Sequence, residues 1–283
     1  MIPPVYVVGA SGRSGAALCR ALLAAGRPFV PVVRDVGRWA ATGLPGTPVV
    51  LDLLTPVPLV GAEWVVSCAH ARHTAALLRA SPARVHVLLG STRMFSRWPD
   101  THGDGVCAGN AAFVASGRPG VMLHPTMIYG AQGEDNVQRL AALLRRLPVV
   151  PLPGGGQALV QPIHQSDLTR CILAALDVAW AGPHSLVVAG PVAVTYAAFV
   201  GAVADAAGLP PPRIVPVPGA LLRLATPLTR LPGLPRIGAS EVRRLLEDKA
   251  FSIGPMRRML GVDPMPLATG LALTFQEHAI ARP

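Results

Sequence analysis

Apolar positions in the first half of the chain fall into short continuous runs: Val5–Val8, Phe29–Val33, Val49–Leu53, Trp64–Ala69, Val85–Leu89 and Gly120–Pro125. Runs this short, with little alternation of apolar and polar residues, are the pattern of strands buried on both faces of a parallel sheet. The stretches between them read as helices. Ala16–Leu23 is apolar and stops at Gly26, and another helix is expected over Arg72–Ala80. Strands alternating with helices predict an α/β architecture with a doubly wound parallel sheet. After Gly130 the pattern changes. Val137, Leu140, Leu143, Leu144 and Leu147 recur at helical spacing among Arg139, Arg145 and Arg146, so a helix is expected over Asn136–Leu147. A further helix is expected to about Ala179, capped by Ser166 or Asp167, and another over Glu241–Ala250. Two regions follow: residues 1–160 as the sheet domain and 161–283 as a smaller lobe, with a return strand near 185–190 joining the main sheet.

Ligands of such sheets bind at the carboxyl ends of the strands. That rule puts Gly9, Arg34, Asp52, Ala69, Ser91 and Pro125 on one rim. The first strand runs into Gly9-Ala10-Ser11-Gly12-Arg13-Ser14-Gly15 and then a helix. Strand, glycine turn and helix suit a dinucleotide pyrophosphate: the glycines admit the phosphates to the backbone, and the helix N-terminus supplies N–H groups and a positive dipole. Gly9, Ser11, Gly12, Arg13, Ser14 and Gly15 are therefore candidate cofactor residues of a Rossmann domain. Arg34 ends the second strand, where such folds meet the adenosine ribose, and Arg13 lies within the turn. Basic residues there pair with a 2′-phosphate, which favours NADP; Asp35, which would accept from a ribose 2′-hydroxyl, keeps NAD as the alternative.

Composition narrows the partners. The net charge of +10 comes from arginine almost alone, since Lys249 is the only lysine. Such a balance favours anionic small molecules. The arginines are scattered, only 5% of residues are aromatic, and no zinc or helix-turn-helix pattern appears, so neither nucleic acid nor a metal site is expected. Cys19, Cys68, Cys107 and Cys171 lie far apart and read as reduced thiols, with a cytoplasmic location expected. No signal peptide and no apolar run of about 18 residues is visible. Val215–Ile237 interleaves prolines and leucines with Arg223, Arg230 and Arg236. Contact with an anionic membrane is one reading of it, and a lid over a substrate cleft is the preferred one.

The G-x-x-G-x-x-G spacing resembles the short-chain dehydrogenase/reductase superfamily. Three further segments, His124-Pro125-Thr126-Met127-Ile128-Tyr129-Gly130, Ile163-His164-Gln165-Ser166-Asp167 and Leu260-Gly261-Val262-Asp263-Pro264, resemble its atypical and extended branch, the nucleoside-diphosphate-sugar epimerase/dehydratase relatives. The resemblance implies that Asp52 faces the adenine, that Ala69 and Pro125 border the cofactor, and that Ser91 or Thr92 supplies the family's substrate-orienting hydroxyl. It also implies that Asn136 and the Gly154-Gly155-Gly156 loop serve the substrate diphosphate, with Tyr129 on the same rim. The usual Tyr-x-x-x-Lys pair is absent. Four residues after Tyr6, Tyr129 and Tyr196 stand Ala10, Gly133 and Val200. By spacing, its two places fall near Thr101 or His102 and near Gly105 or Val106. The loop holding Arg93, Arg97, Asp100, His102 and Asp104 is expected at the nicotinamide end, where His102 is the candidate proton donor. His164 reads as a structural hydrogen-bonding residue. Two functions follow: an NAD(P)-dependent oxidoreductase or epimerase-like enzyme acting on a nucleotide-sugar or related carbonyl or alcohol, or a non-catalytic NADP(H)-binding redox sensor or accessory subunit.

Overall fold

A computed structural model describes residues 3–55, 57–130, 136–147, 149–219, 243 and 245–280. Strands β1 (Val5–Val8), β2 (Phe29–Val33), β3 (Val49–Val50), β4 (Trp64–Ser67), β5 (Val85–Leu89) and β6 (Gly120–Pro125) form one parallel sheet, which β11 (Pro183–Val188) extends beside β6. The strand order is β11-β6-β5-β4-β1-β2-β3. It reverses between β1 and β4, whose carboxyl ends therefore flank a crevice. Shorter pairs lie outside the sheet: β7 (Ile128–Tyr129) with β10 (Ile163–His164), β8 (Val149–Pro153) with β13 (Arg213–Val217), and β9 (Leu159–Val160) with β12 (Val194–Thr195).

Helices cover both faces. On one face α1 (Arg13–Ala24) and α6 (Gln165–Asp177) bury Leu18, Leu22, Ile172 and Leu176 against Val7, Val66 and Val87. On the other, α3 (Thr74–Ala80) and α4 (Thr101–Ser116) bury Leu77, Val106 and Phe113 against Val65, Leu88 and Met122. The short α2 (Val36–Ala40) follows β2. A third cluster joins α5 (Asn136–Arg146) and α7 (Tyr196–Ala206) through Val137, Ala141, Leu144, Phe199 and Val203. No helix among the described residues is long and apolar enough to cross a membrane.

Several expected elements change. The third strand stops at Val50: Leu51 N–H still donates to Val33 O, but the Asp52 carboxylate then takes the Leu54 N–H at 2.9 Å and turns the chain away. The fourth strand ends at Ser67, not Ala69. Residues 92–104 are not a plain loop. A 3₁₀ turn spans Thr92–Phe95, and Asp100 caps α4 by accepting from Gly103 N–H at 2.7 Å, which puts His102 and Asp104 in the first helical turn. The cap of α6 is His164, which accepts from Ser166 N–H, because Asp167 is buried and spent on Arg170 (2.8 Å) and on Met265 N–H (2.9 Å). Of the helix expected over 241–250, residues 245–247 form a turn and 248–250 are irregular, while 241, 242 and 244 lie outside the described residues. The 215–237 segment is described only as far as 219, where β13 occupies its start.

Candidate functional site

Gly9 adopts φ +78°, a conformation that favours glycine, and its N–H donates to Val32 O at 2.9 Å. A Cβ on Gly9 would meet Ala69 N at 3.1 Å, so the turn sits tight against the end of β4. Gly12 caps α1 and donates its N–H to Gly9 O at 2.9 Å. Gly15 is packed onto the turn itself, where a Cβ would lie 2.2 Å from Gly9 O. The α1 N-terminus therefore opens at the strand end, with Gly12, Arg13 and Ser14 on a cavity wall. Ser14 also ties the turn to α6 by donating its hydroxyl to Gln165 Oε1 at 2.9 Å.

Three adjoining cavities form one groove across the carboxyl ends of the strands. The first, about 390 Å³, runs from Gly9, Ser11 and Gly12 past Ala69 to Arg34, Arg38 and Asp52. The second, about 640 Å³, shares Gly12, Cys68, Ala69 and His70 with it and continues to Ser91, His102 and Pro125. The third, about 320 Å³, shares Ser91, Arg93 and Thr126 with the second and ends among Phe95, Glu247, Lys249 and Phe251.

At the first end Asp35 caps α2, its carboxylate accepting from Arg38 N–H at 3.1 Å. Arg34 and Arg38 are exposed and have no carboxylate partner among the described residues. His73 borders the same end, and burial followed by the Arg72 charge lowers its pKa, with Asp52 opposing.

At the middle, Ser91 caps the 3₁₀ turn, its Oγ accepting from Arg93 N–H at 3.2 Å, and the Thr92 hydroxyl donates to Pro125 O at 3.3 Å. His102 and Val106, one helical turn apart on α4, line the same wall. His102 Nδ1 lies 3.1 Å from Nε2 of His70, a residue that no spacing pattern marks; its one sequence signal is its place directly after Ala69 on the rim. Burial, then His102, Arg72, His73 and Arg93, hold the His70 imidazole down at about 4.

At the far end Glu247 is buried, accepting from Arg97 N–H at 2.6 Å and from the Ser96 hydroxyl at 2.8 Å. Expecting 241–250 to be helical hid it from the sequence reading.

No protein-family model matches the chain, and no curated protein matches it. Solved structures do match. The UDP-glucuronic acid 4-epimerase of Bacillus cereus, in complex with UDP-glucuronic acid and NAD, is 16% identical over 96% of this chain and 98% of that one, with a TM-score of 0.71. The UDP-glucose 4-epimerase of Thermotoga maritima, with UDP-glucose, is 13% identical over 99% and 100%, at 0.72. A short-chain dehydrogenase/reductase superfamily protein of Agrobacterium tumefaciens with bound NAD is 15% identical over 98% of both, at 0.69. The chain shares the fold of these structures over nearly its whole length.

Within this fold Tyr129 and Asn136, both expected near the substrate, do not reach the groove. Tyr129 is buried, its hydroxyl against Gly270 and its ring edge-on to His164 at 5.2 Å, and burial raises its pKa further from any role as an acid. Asn136 donates its amide to Ile128 O at 2.9 Å and accepts from Val137 N–H at 2.7 Å, holding the start of α5. In the Gly154–Gly156 turn, Gly156 packs against Leu152 and Ala197 and Gly154 lies beside Leu246; none of the three lines the cavities described. The other candidates, Gly9, Ser11, Gly12, Arg13, Ser14, Arg34, Asp52, Ala69, Ser91, Thr92, His102 and Pro125, all line the groove, and Gly15 packs behind it.

Proposed function

We propose that the chain binds NADP(H) along this groove and interconverts a carbonyl and an alcohol on a nucleotide-sugar or a related substrate. The observation that carries this reading is the continuity of the groove from Arg34 and Arg38, past the α1 N-terminus, to Ser91 and His102. The residues fit a dinucleotide. Gly9, Gly12 and Gly15 bring backbone and helix N-terminus to the pyrophosphate, with Ser11, Arg13 and Ser14 at its flanks. Asp52 borders the adenine, Ala69 and Pro125 wall the middle, and Arg34 with Arg38 takes the 2′-phosphate. Asp35 spends Oδ1 on the α2 N-terminus but also lines this end of the groove, so NAD stays the alternative.

The bound nicotinamide supplies or accepts hydride. Ser91 orients the substrate oxygen, because its hydroxyl accepts from Arg93 N–H and keeps its own hydrogen to donate. Thr92, spent on Pro125 O, positions the turn. The third cavity takes the rest of the substrate: Phe95 and Phe251, tilted at 49° with centroids 5.9 Å apart, line it together with Arg93 and Lys249, a lining suited to a planar base and phosphates. In this reading residues 1–160 carry most of the cofactor contacts, and 161–283 complete the substrate end.

Titration of the purified protein with NADPH and NADH tests the assignment. Arg34→Ala is expected to weaken NADPH by about tenfold to a hundredfold, the loss of one charge-assisted contact, and NADH by less than about threefold. Equal losses would remove the 2′-phosphate contact. One observation favours the second reading, a non-catalytic NADP(H)-binding sensor or accessory subunit: neither Gly105 nor Val106, near which the resemblance would put a lysine, carries a cation, and Lys249 lies at the far end of the groove. Tight NADPH binding with no hydride transfer to or from UDP-glucose, UDP-glucuronic acid or simple ketones would decide for it.

A further inference from the structure

We infer that Gln165, on α6, is a positioning residue for the cofactor turn. It claims the Ser14 hydroxyl hydrogen, so that the backbone N–H groups of α1, and not the Ser14 side chain, donate to a pyrophosphate. The inference rests on the dinucleotide reading for its use, and on hydrogen-bond geometry for its content. Ser14 and Gln165 line the same second cavity. Gln165 is buried, and Thr169, one helical turn further on, fixes which way its amide faces. Thr169 has one hydroxyl hydrogen, which it donates to Gln165 O at 3.0 Å. The amide atom 3.2 Å from that hydroxyl must therefore be the donor, Nε2. Oε1 is left facing Ser14 at 2.9 Å, and an amide oxygen only accepts. The hydrogen of Ser14 is committed to α6.

With that hydrogen spent, Ser14 Oγ has only lone pairs to set against a phosphate oxygen, which is no bond. The turn offers backbone instead. Gly12 N–H is already taken by Gly9 O at 2.9 Å, but the N–H groups of the first turn of α1 lie beyond the reach of any helical carbonyl. They and the helix dipole point wherever α1 is held.

Polar contacts tie α1 to α6 at both ends. Ser14 meets Gln165 where the helices begin, and past their far ends Arg27 Nη1 donates to Asp177 Oδ1 at 2.9 Å. Between the two ties Leu18 and Leu22 share one apolar cluster with Ile172 and Leu176. Arg27 and Asp177 line none of the three cavities, whereas Ser14 and Gln165 stand at the α1 N-terminus itself. The first tie is therefore the one that aims the phosphate donors.

Dissociation constants for NADPH and for adenosine 2′-monophosphate, which has the 2′-phosphate but no pyrophosphate, test this on Ser14→Ala, Gln165→Leu and the double variant. Each single change is expected to weaken NADPH by about tenfold, the upper range for one hydrogen bond. The double change should cost no more than either, because both remove the same bond. Adenosine 2′-monophosphate, held at the Arg34 end, should change by less than about twofold, as distant sites do. Asp177→Ala, which cuts the other tie, should leave both ligands as in the wild type. A loss in Ser14→Ala without one in Gln165→Leu, or losses that multiply, would mean that the hydroxyl itself donates to the phosphate, and would overturn the inference. A parallel fall for both ligands, the mark of a generally loosened α1, would overturn it too. A wild type that binds neither nucleotide counts against the dinucleotide reading, and the same cycle in urea midpoints then judges the bond: additive losses overturn it, and equal, non-additive losses keep it.

Discussion

Gly15→Ala is expected to abolish binding of either nucleotide and to lower the unfolding free energy by about 3 kcal/mol or more, the upper range for forced overpacking. The new methyl would lie 2.2 Å from Gly9 O and 2.9 Å from the Ala10 Cα. Both are backbone atoms, so no side-chain rotation relieves the clash. Relief requires α1 to slide away from β1, and that movement withdraws the helix N-terminus from the crevice and opens the space behind Leu18 and Leu22, which are fully buried. Gly26→Ala is the control. Gly26 sits at φ +63° with nothing within 4 Å of its Cβ position, so it should cost only about 1 kcal/mol of backbone strain and leave binding intact. Denaturant midpoints and NADPH titration read both variants. A Gly15→Ala protein that binds NADPH as the wild type does would show that the turn is not the pyrophosphate site.

The same close packing explains what the sequence reveals and what it conceals. Strands β1, β2, β5 and β6 are legible because nothing but buried parallel strand suits runs such as Val85–Leu89, and the glycine turn because its residue types serve both geometry and chemistry. The helix α4 is not. Gly103, Gly105 and Gly109 lower its helix propensity, and their purpose, close approach to Arg93 O, His70 and Ala71 O, exists only in three dimensions. His70 is hidden for the same reason, since its meaning depends on a residue thirty-two positions away. Tyr129 and Asn136 lie off the groove for other reasons. Their residue types suit substrate chemistry, but burial commits the first to the core, and the Ile128 carbonyl and the Val137 N–H engage the second. Asp35 shows that a side chain's type at the right place is not yet one role: its Oδ1 caps the α2 that follows, while the residue still borders the first cavity beside Arg34.

Acid should destabilise the protein well above the range where carboxylates titrate. His86 and His124 are both fully buried, and burial pushes each imidazole down to about 4; Arg118 adds to the shift at His86, while the Ser91 backbone partly opposes it at His124. Each accepts its place only as a neutral ring, with Nε2 of His86 at 3.1 Å from Ser81 Oγ and Nε2 of His124 at 2.8 Å from Ser185 Oγ. The folded value lies below the unfolded one, near 6.5, so the unfolded chain binds the proton first. Their neutral state costs nothing above pH about 6.5, and stability falls as pH drops from there towards 4, where the loss levels off. Two units of pH in that window correspond to about 2–3 kcal/mol for each histidine. The pair thus accounts for about 5 kcal/mol, a large part of the 5–15 kcal/mol that holds a typical domain folded. Urea midpoints measured between pH 7.5 and 4.5 should fall steeply, and His86→Gln and His124→Gln should each flatten the slope even where they lower stability at neutral pH. A flat profile in the wild type would mean that these rings are protonated, or reached by water, in the folded protein. For His124 the packing reaches the groove: it lies beneath Gly90, whose Cβ position is 2.4 Å from its Nδ1, next to Ser91.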